Sequence, residues 1–116
     1  MQERRRFVRI PEDSPIFYEV LVNSVAGDFV VKDISQSGIR FFVHQFIAKD
    51  TLIKIRLTIK KISFSFESTV RVVWIEEDSR NNRYEIGVEF VNISKEAAEH
   101  LSAYIKDVLE DKKRYP

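Results

Sequence analysis

The chain has 116 residues, of which 44% are hydrophobic, and this is enough for one domain with a single core. The absence of cysteine excludes disulfide bonds and thiolate metal sites. No apolar run approaches the ~18 residues of a membrane-spanning helix, and no signal-peptide pattern is present. We therefore expect a cytoplasmic protein that does not insert into a membrane.

The net charge of +1 is distributed unevenly along the chain. Residues 1–10 hold four Arg and one Glu, which leaves 15 basic and 17 acidic residues in the remainder. Proteins that follow a nucleic-acid backbone usually spread Lys and Arg over a whole face. The charge pattern thus favours a small anionic ligand and argues against nucleic acid. Pro11, Pro15 and the short polar residues between them predict an extended lead-in, so we assign residues 1–15 to an arginine-rich arm.

Alternation of apolar and polar residues predicts six strands after the arm. The predicted strands cover residues 16–22, 29–32, 39–43, 53–59, 62–74 and 84–90. We expect a turn at residues 26–28, a longer connection at 44–50 and a polar loop at 76–82. Four aromatic residues on the inward-facing side are predicted to lie in the core: Phe64, Phe66, Trp74 and Phe90.

A helix follows the last strand. Ser94 is a predicted N-cap, and the apolar spacing from residue 97 to residue 109 is typical of an amphipathic helix over residues 94–113.

The alternating run at residues 62–74 is long enough that the strand has to coil, as strands of a barrel do. We predict a mainly β protein, with residues 16–116 forming a six-stranded antiparallel β-barrel and a C-terminal α-helix.

Two segments have the chemistry of a ligand site. The first holds Arg4, Arg5 and Arg9, and the second runs from Asp33 to Gly38. Guanine offers acceptors at O6 and N7, which suit an arginine fork, and N–H donors on its other edge, which suit a carboxylate. Arg5 and Arg9 could also hold phosphate oxygens. Together the segments predict a ligand that carries guanine and phosphate. Gly38 would provide a positive φ or allow a close approach to the backbone.

Each segment also has a plainer interpretation. The arginines alone are typical of a solvated chain end, and residues 33–38 alone are typical of a hairpin turn. Their occurrence together favours binding. His44 and His100 lack neighbouring metal-ligand types, and no nucleophile, metal-ligand spacing or phosphate loop is present. We therefore predict neither catalysis nor a resident metal or cofactor.

The two segments resemble the motifs of the PilZ domain family. Arg5 and Arg9 match RxxxR, and Asp33, Ser35 and Gly38 match [D/N]xSxxG, while residues 71–74 and 84–90 resemble the closing strands of the family. The resemblance implies a six-stranded barrel that binds the bacterial messenger bis-(3′,5′)-cyclic dimeric guanosine monophosphate (cyclic di-GMP). It implies that Arg5 and Arg9 contact guanine and phosphate from the arm and that Asp33, Ser35 and Gly38 surround a guanine.

Under this interpretation, Arg4 adds a contact or stacks on a second ligand molecule. Ligand binding would order the arm against the barrel and alter the interaction with an effector protein or a covalently linked domain. The alternative is a ligand-independent protein–protein interaction module. Asp33→Ala distinguishes them, because only a receptor would lose its ligand response.

Overall fold

The computed structural model describes residues 8–114 and contains seven strands and one helix in this part of the chain. The elements in chain order are β1 (Ile10–Pro11), β2 (Pro15–Val20), β3 (Ala26–Ile34), β4 (Gly38–Val43), β5 (Leu52–Ile59), β6 (Phe64–Asp78), β7 (Arg83–Asn92) and α1 (Lys95–Arg114). Short 3-10 turns at Lys60–Ile62 and Ser79–Asn81 join the β5–β6 and β6–β7 hairpins.

Six of the strands close into an antiparallel barrel in the order β3-β2-β5-β6-β7-β4, and the β3–β4 pairing completes the ring. The prediction of a six-stranded barrel with a C-terminal helix is confirmed. The two-residue β1 was not predicted as a strand and lies within the predicted arm. It pairs with the end of β3, beyond Val30, the last β3 residue that pairs with β2. The start of the described chain is thus attached to the barrel wall.

The core follows from the alternation of side chains. In β5 the odd-numbered residues Ile53, Ile55, Leu57 and Ile59 are at most 1% exposed, while the intervening positions face outward. Their partners on β2 and β6 alternate in the same phase, and all three strands therefore present one apolar face to the barrel interior. A strand that slipped by one residue would turn its apolar set outward, so the burial fixes the register.

Helix α1 covers the barrel with an apolar stripe whose buried residues are Ala97, Leu101, Tyr104 and Ile105. The Oγ atom of Ser94 accepts a hydrogen bond of 3.0 Å from the backbone N–H of Ala97, as the predicted N-cap requires. Neither α1 nor any other helix among residues 8–114 is long and apolar enough to cross a bilayer.

Three local predictions were wrong. Residues 26–28 belong to β3, and the chain turns earlier, where Ser24 rather than a glycine takes a positive φ of 60°. Residues 76–78 continue β6 instead of forming a loop. Trp74 lies outside the core, because a register shift between Val72 and Trp74 leaves one extra residue in β6 and reverses the alternation. Its indole covers Gly87, at which an added Cβ would lie 2.4 Å from the indole Nε1.

The other three predicted core aromatics pack as expected. Phe66 is 7% exposed, and Phe64 and Phe90 lie partly buried against the core. The ring of His100 on α1 stacks on Phe64 with centroids 4.0 Å apart and an interplanar angle of 3°. His100 is itself exposed and covers the partly buried Phe64 ring.

Candidate ligand-binding site

The candidate site is organised around the carboxylate of Asp33 at the end of β3. Asp33 pairs with Pro11 of β1 on one side and with Arg40 of β4 on the other. Its side chain is only 8% exposed. Because an unpaired carboxylate at that depth is costly, the structure has to supply cationic partners.

Two arginines supply them. Arg9 donates a hydrogen bond from Nη1 to Oδ1 of Asp33 at 2.9 Å. Arg40 donates from both Nε, at 2.6 Å, and Nη2 to the other oxygen, Oδ2. The hydrogen bond to Asp33 raises the pKa of the Arg40 guanidinium above its ordinary value. Both carboxylate oxygens are therefore occupied by arginine donors, one from each side of the site.

A second carboxylate lies behind the first. Oε2 of Glu85 on β7 is 3.7 Å from Nη1 of Arg40 and accepts a hydrogen bond of 3.2 Å from Nζ of Lys32. The four side chains Lys32, Asp33, Arg40 and Glu85 alternate in sign across three neighbouring strands. Arg40 is thus held between two acidic groups, whereas Arg9 contacts Asp33 alone among the charged residues described.

The turn after Asp33 is fixed by its own hydrogen bonds. The backbone N–H and the hydroxyl of Ser35 both donate to the carbonyl of Gly38, at 2.9 and 3.3 Å. The Oγ atom of Ser35 also accepts the backbone N–H of Ser37 at 3.2 Å. Ser35 is 1% exposed, so its hydroxyl shapes the turn that orients Asp33.

Gly38 is required for close packing. Its φ is not positive, which removes one of the two expected reasons for glycine. The other reason holds, because an added Cβ would lie 2.0 Å from the carbonyl oxygen of Val88 on the paired strand. Only glycine lets β4 meet β7 at this point, directly after the Asp33 turn.

The segment between β1 and β2 is anchored to the helix. The Tyr104 hydroxyl on α1 donates a hydrogen bond of 2.7 Å to Oε1 of Glu12, and Ser14 donates to Oε2 of the same carboxylate. Ser14 Oγ in turn accepts the backbone N–H of Lys60 at 3.1 Å. Burial, followed by the hydrogen bond to Glu12, raises the pKa of the Tyr104 phenol. The described lead-in therefore has fixed contacts from residue 10 onward.

The structure brings together Arg9 and Asp33, with Ser35 and Gly38 in the adjoining turn. Arg4 and Arg5 lie outside the described residues. Sequence analysis missed Arg40, Lys32 and Glu85, whose positions in alternating strands are typical of any solvent-facing residue. The available signal was the position of Arg40, two residues after Gly38 and therefore on the outer face. Which side chains Arg40 contacts on that face depends on the register of the neighbouring strands.

These residues line an open groove on the barrel surface. Its walls are formed by Arg9, Ile10, Pro11, Lys32, Asp33 and Arg40. Its volume of about 500 Å³ lies within the ~300–1,000 Å³ range of small-molecule sites. Three cations and one carboxylate in a groove suit a ligand with anionic groups and polar N–H donors. Among residues 8–114, no group of three or more acidic or histidine side chains is arranged to hold a metal ion.

Comparisons with known proteins identify relatives of this arrangement. The model of the PilZ domain family matches residues 3–107. Comparison with curated protein sequences found no match. Similar solved structures include the Bacillus subtilis inhibitor of motility MotI/DgrA (15% identity, TM-score 0.77), Escherichia coli YcgR in complex with c-di-GMP (18%, 0.76) and the K. pneumonia MrkH–c-di-GMP complex (19%, 0.77).

These three similarities concern the fold. They cover 92%, 96% and 97% of this chain, but 52%, 48% and 56% of the respective solved chains. The chain thus spans about half the length of these three solved chains.

Proposed function

This chain belongs to the PilZ domain family, and we propose that it is a receptor for cyclic di-GMP that binds at the Asp33 groove. Binding orders the part of the arginine-rich arm that precedes Ile10 against the barrel of residues 16–116. The observation that carries the proposal is the Asp33 carboxylate, which is almost buried yet opens on a groove lined by Arg9, Lys32 and Arg40. Similar folds in YcgR and MrkH have been solved with c-di-GMP bound.

The chemistry of the groove fits this ligand. In the proposed complex Asp33 accepts hydrogen bonds from the N–H donors of a guanine, and an arginine fork donates to O6 and N7 on its other edge. Arg5 and Arg9 share the phosphates and bases, and Arg4 adds a further contact. Lys32 contributes positive charge at the wall of the groove. Ser35 and Gly38 act through the shape of the turn and bring the guanine close to the backbone.

The proposed switch begins at Arg9. In the structure this arginine donates to Oδ1 of Asp33. Because Arg40 already donates two hydrogen bonds to Oδ2, the guanine donors would bind at Oδ1, and we propose that Arg9 then moves from the carboxylate to the nucleotide. The loss of arm entropy is offset by charge-assisted hydrogen bonds to base and phosphate. The rearranged arm and the bound ligand then form a surface for an effector protein or a linked domain.

Isothermal titration calorimetry with cyclic di-GMP tests this proposal. We expect binding to the full chain, and Arg5→Ala or Arg9→Ala should weaken it by about 10- to 150-fold, which corresponds to ~1.5–3 kcal/mol for a charge-assisted contact. Arg56→Ala is the matched control, because Arg56 is also an outward-facing arginine paired with a carboxylate, that of Glu67. Absence of binding heat at millimolar ligand would disprove the receptor function.

The second candidate is a ligand-independent protein-interaction module. One observation favours it: two exposed apolar side chains, Val22 at 83% exposure and Phe46 at 62%, border a groove away from the Asp33 site. Under this hypothesis Asp33→Ala leaves partner binding intact. Under the receptor hypothesis the same substitution abolishes the ligand response.

Both candidates describe a binding protein rather than an enzyme, and we place it in the cytoplasm. The expectation that the chain does not bind nucleic acid stays a prediction, since MrkH is described as a c-di-GMP-dependent transcription regulatory factor. An electrophoretic mobility assay with the full chain and ligand would test it.

A further inference from the structure

The two arginines on Asp33 differ in how firmly the fold holds them. Arg9 precedes the two-residue strand β1 and makes one hydrogen bond, to Oδ1. Arg40 lies within β4, which is paired on both sides. Its side chain makes two hydrogen bonds to Oδ2 and also lies 3.7 Å from Glu85.

This asymmetry solves a problem of ligand exchange. A nearly buried carboxylate that lost its partners during exchange would be left as an unpaired charge in a poorly solvated position, which is strongly unfavourable. Because Arg40 occupies Oδ2 by itself, Oδ1 can change partners while Asp33 remains paired throughout. The fixed arginine also keeps the carboxylate from rotating and so directs Oδ1 toward the groove.

We propose that Arg40 is a positioning residue that stays on Asp33 in both states, while Arg9 gives up Oδ1 to the guanine. Glu85 supports Arg40 from behind, and Lys32 supports Glu85. The inference rests on the proposed function, because it assigns the two arginine contacts of Asp33 to two separate tasks in ligand binding. It also predicts that removal of Arg40 weakens binding, although Arg40 occupies the same carboxylate as the ligand.

The opposite outcome follows from simple competition. If Arg40 were a displaceable cap on Asp33, its removal would free the carboxylate and strengthen binding. The sign of the change in affinity therefore separates positioning from competition. The behaviour of the Arg40 side chain on ligand addition separates positioning from a general contribution to folding.

The experiment combines calorimetry with NMR on the full chain. Cyclic di-GMP is titrated into wild type, Arg40→Ala, Arg40→Lys and the control Arg56→Ala. The Nε–H resonances of the arginines are followed in wild type during the same titration. We expect at least about a tenfold loss of affinity for Arg40→Ala, a smaller loss for Arg40→Lys, and no change for Arg56→Ala. Lysine retains the charge but cannot make the two-donor contact.

The NMR readout is specific to the proposed role. The Nε–H of Arg40 should remain protected from solvent exchange in the free and bound states, whereas the resonance of Arg9 should move. Unchanged or tighter binding by Arg40→Ala, or loss of Arg40 protection on ligand addition, would overturn the inference. Should Arg40→Ala fail to fold, Arg40→Lys and the wild-type resonances decide the question. If wild type itself does not bind, the receptor function fails first and this inference falls with it.

Discussion

Two carboxylates on the outer face of the barrel each contact two cationic side chains, but they lie at very different depths. Asp33 is 8% exposed and contacts Arg9 and Arg40. Glu67 is 47% exposed and contacts Lys54 at 3.9 Å and Arg56 at 3.0 Å. The composition of the two clusters is nearly the same. Their energetic roles should differ, because water screens the exposed Glu67 carboxylate more fully than the nearly buried Asp33 carboxylate.

The comparison shows why charged residues alone do not identify a binding site. Glu67 lies directly opposite Arg56 and diagonal to Lys54 across β5 and β6, where exposed ion pairs contribute at most about 1 kcal/mol. Asp33 is held at the end of a strand by a hydrogen-bonded turn and a tightly packed glycine. A carboxylate so placed keeps its orientation, which is what recognition of a base edge requires.

The largest expected effect on the Asp33 cluster comes from disturbing the backbone at the end of the Asp33 turn. Gly38→Ala would place a Cβ 2.0 Å from a backbone carbonyl that cannot move without separating β4 from β7. We expect the free energy of unfolding to fall by at least ~3 kcal/mol in denaturant titrations, together with loss of ligand binding. Gly27→Ala is the comparison, because the atoms nearest to its added Cβ, from 2.8 Å, belong to the side chain of Tyr18 and not to the backbone, so a smaller effect is expected. Equal effects of the two substitutions would contradict the packing role of Gly38.

Truncating each carboxylate compares the clusters directly. We expect Asp33→Ala to weaken cyclic di-GMP binding by at least about 100-fold, since the carboxylate accepts the base donors, and to lower stability by ~1–2 kcal/mol. Glu67→Ala should leave affinity unchanged and alter stability by less than ~0.5 kcal/mol. Calorimetry and urea unfolding provide the two measurements. A measurable affinity loss in Glu67→Ala would show that both clusters belong to one binding surface.

The smallest effect concerns the anchor of the lead-in beside the site. Tyr104→Phe removes the hydrogen bond to Glu12 and should cost about 1–2 kcal/mol of unfolding free energy at neutral pH. Because the folded state raises the Tyr104 pKa, its contribution is complete below the unfolded phenol pKa of about 10 and is lost as pH rises above that value. The stability difference between wild type and Tyr104→Phe should therefore shrink above pH ~10. A difference that is constant with pH would be inconsistent with the described hydrogen bond.

The sequence predicts the barrel well where one face of a strand is clearly apolar. The alternation of residues 53–59 fixed both the strand and its inner face. The prediction failed at Trp74, because Val72, Val73, Trp74 and Ile75 are all apolar and a bulge within such a run leaves no trace in the pattern. It failed at residues 26–28 because Gly27 suggested a turn, whereas this glycine makes room for the ring of Tyr18.

The site was predicted in part for a related reason. Asp33 and the arginine motif are local patterns, and the structure places Arg9 on Asp33. Arg40 and Glu85 reach the site only through the pairing of β3, β4 and β7, which no local pattern specifies. Residues that act through strand register can therefore be assigned only once the pairing is known.

Ile10 directly follows Arg9, the arm residue that contacts Asp33, and is only 1% exposed. Ile10 pairs with Ile34, and Glu12 and Ser14 make side-chain hydrogen bonds just beyond it. The segment from Ile10 onward is therefore fixed to the barrel. The proposed change of partner at Arg9 would therefore redirect the chain before Ile10, while Ile10 itself keeps its place on the barrel.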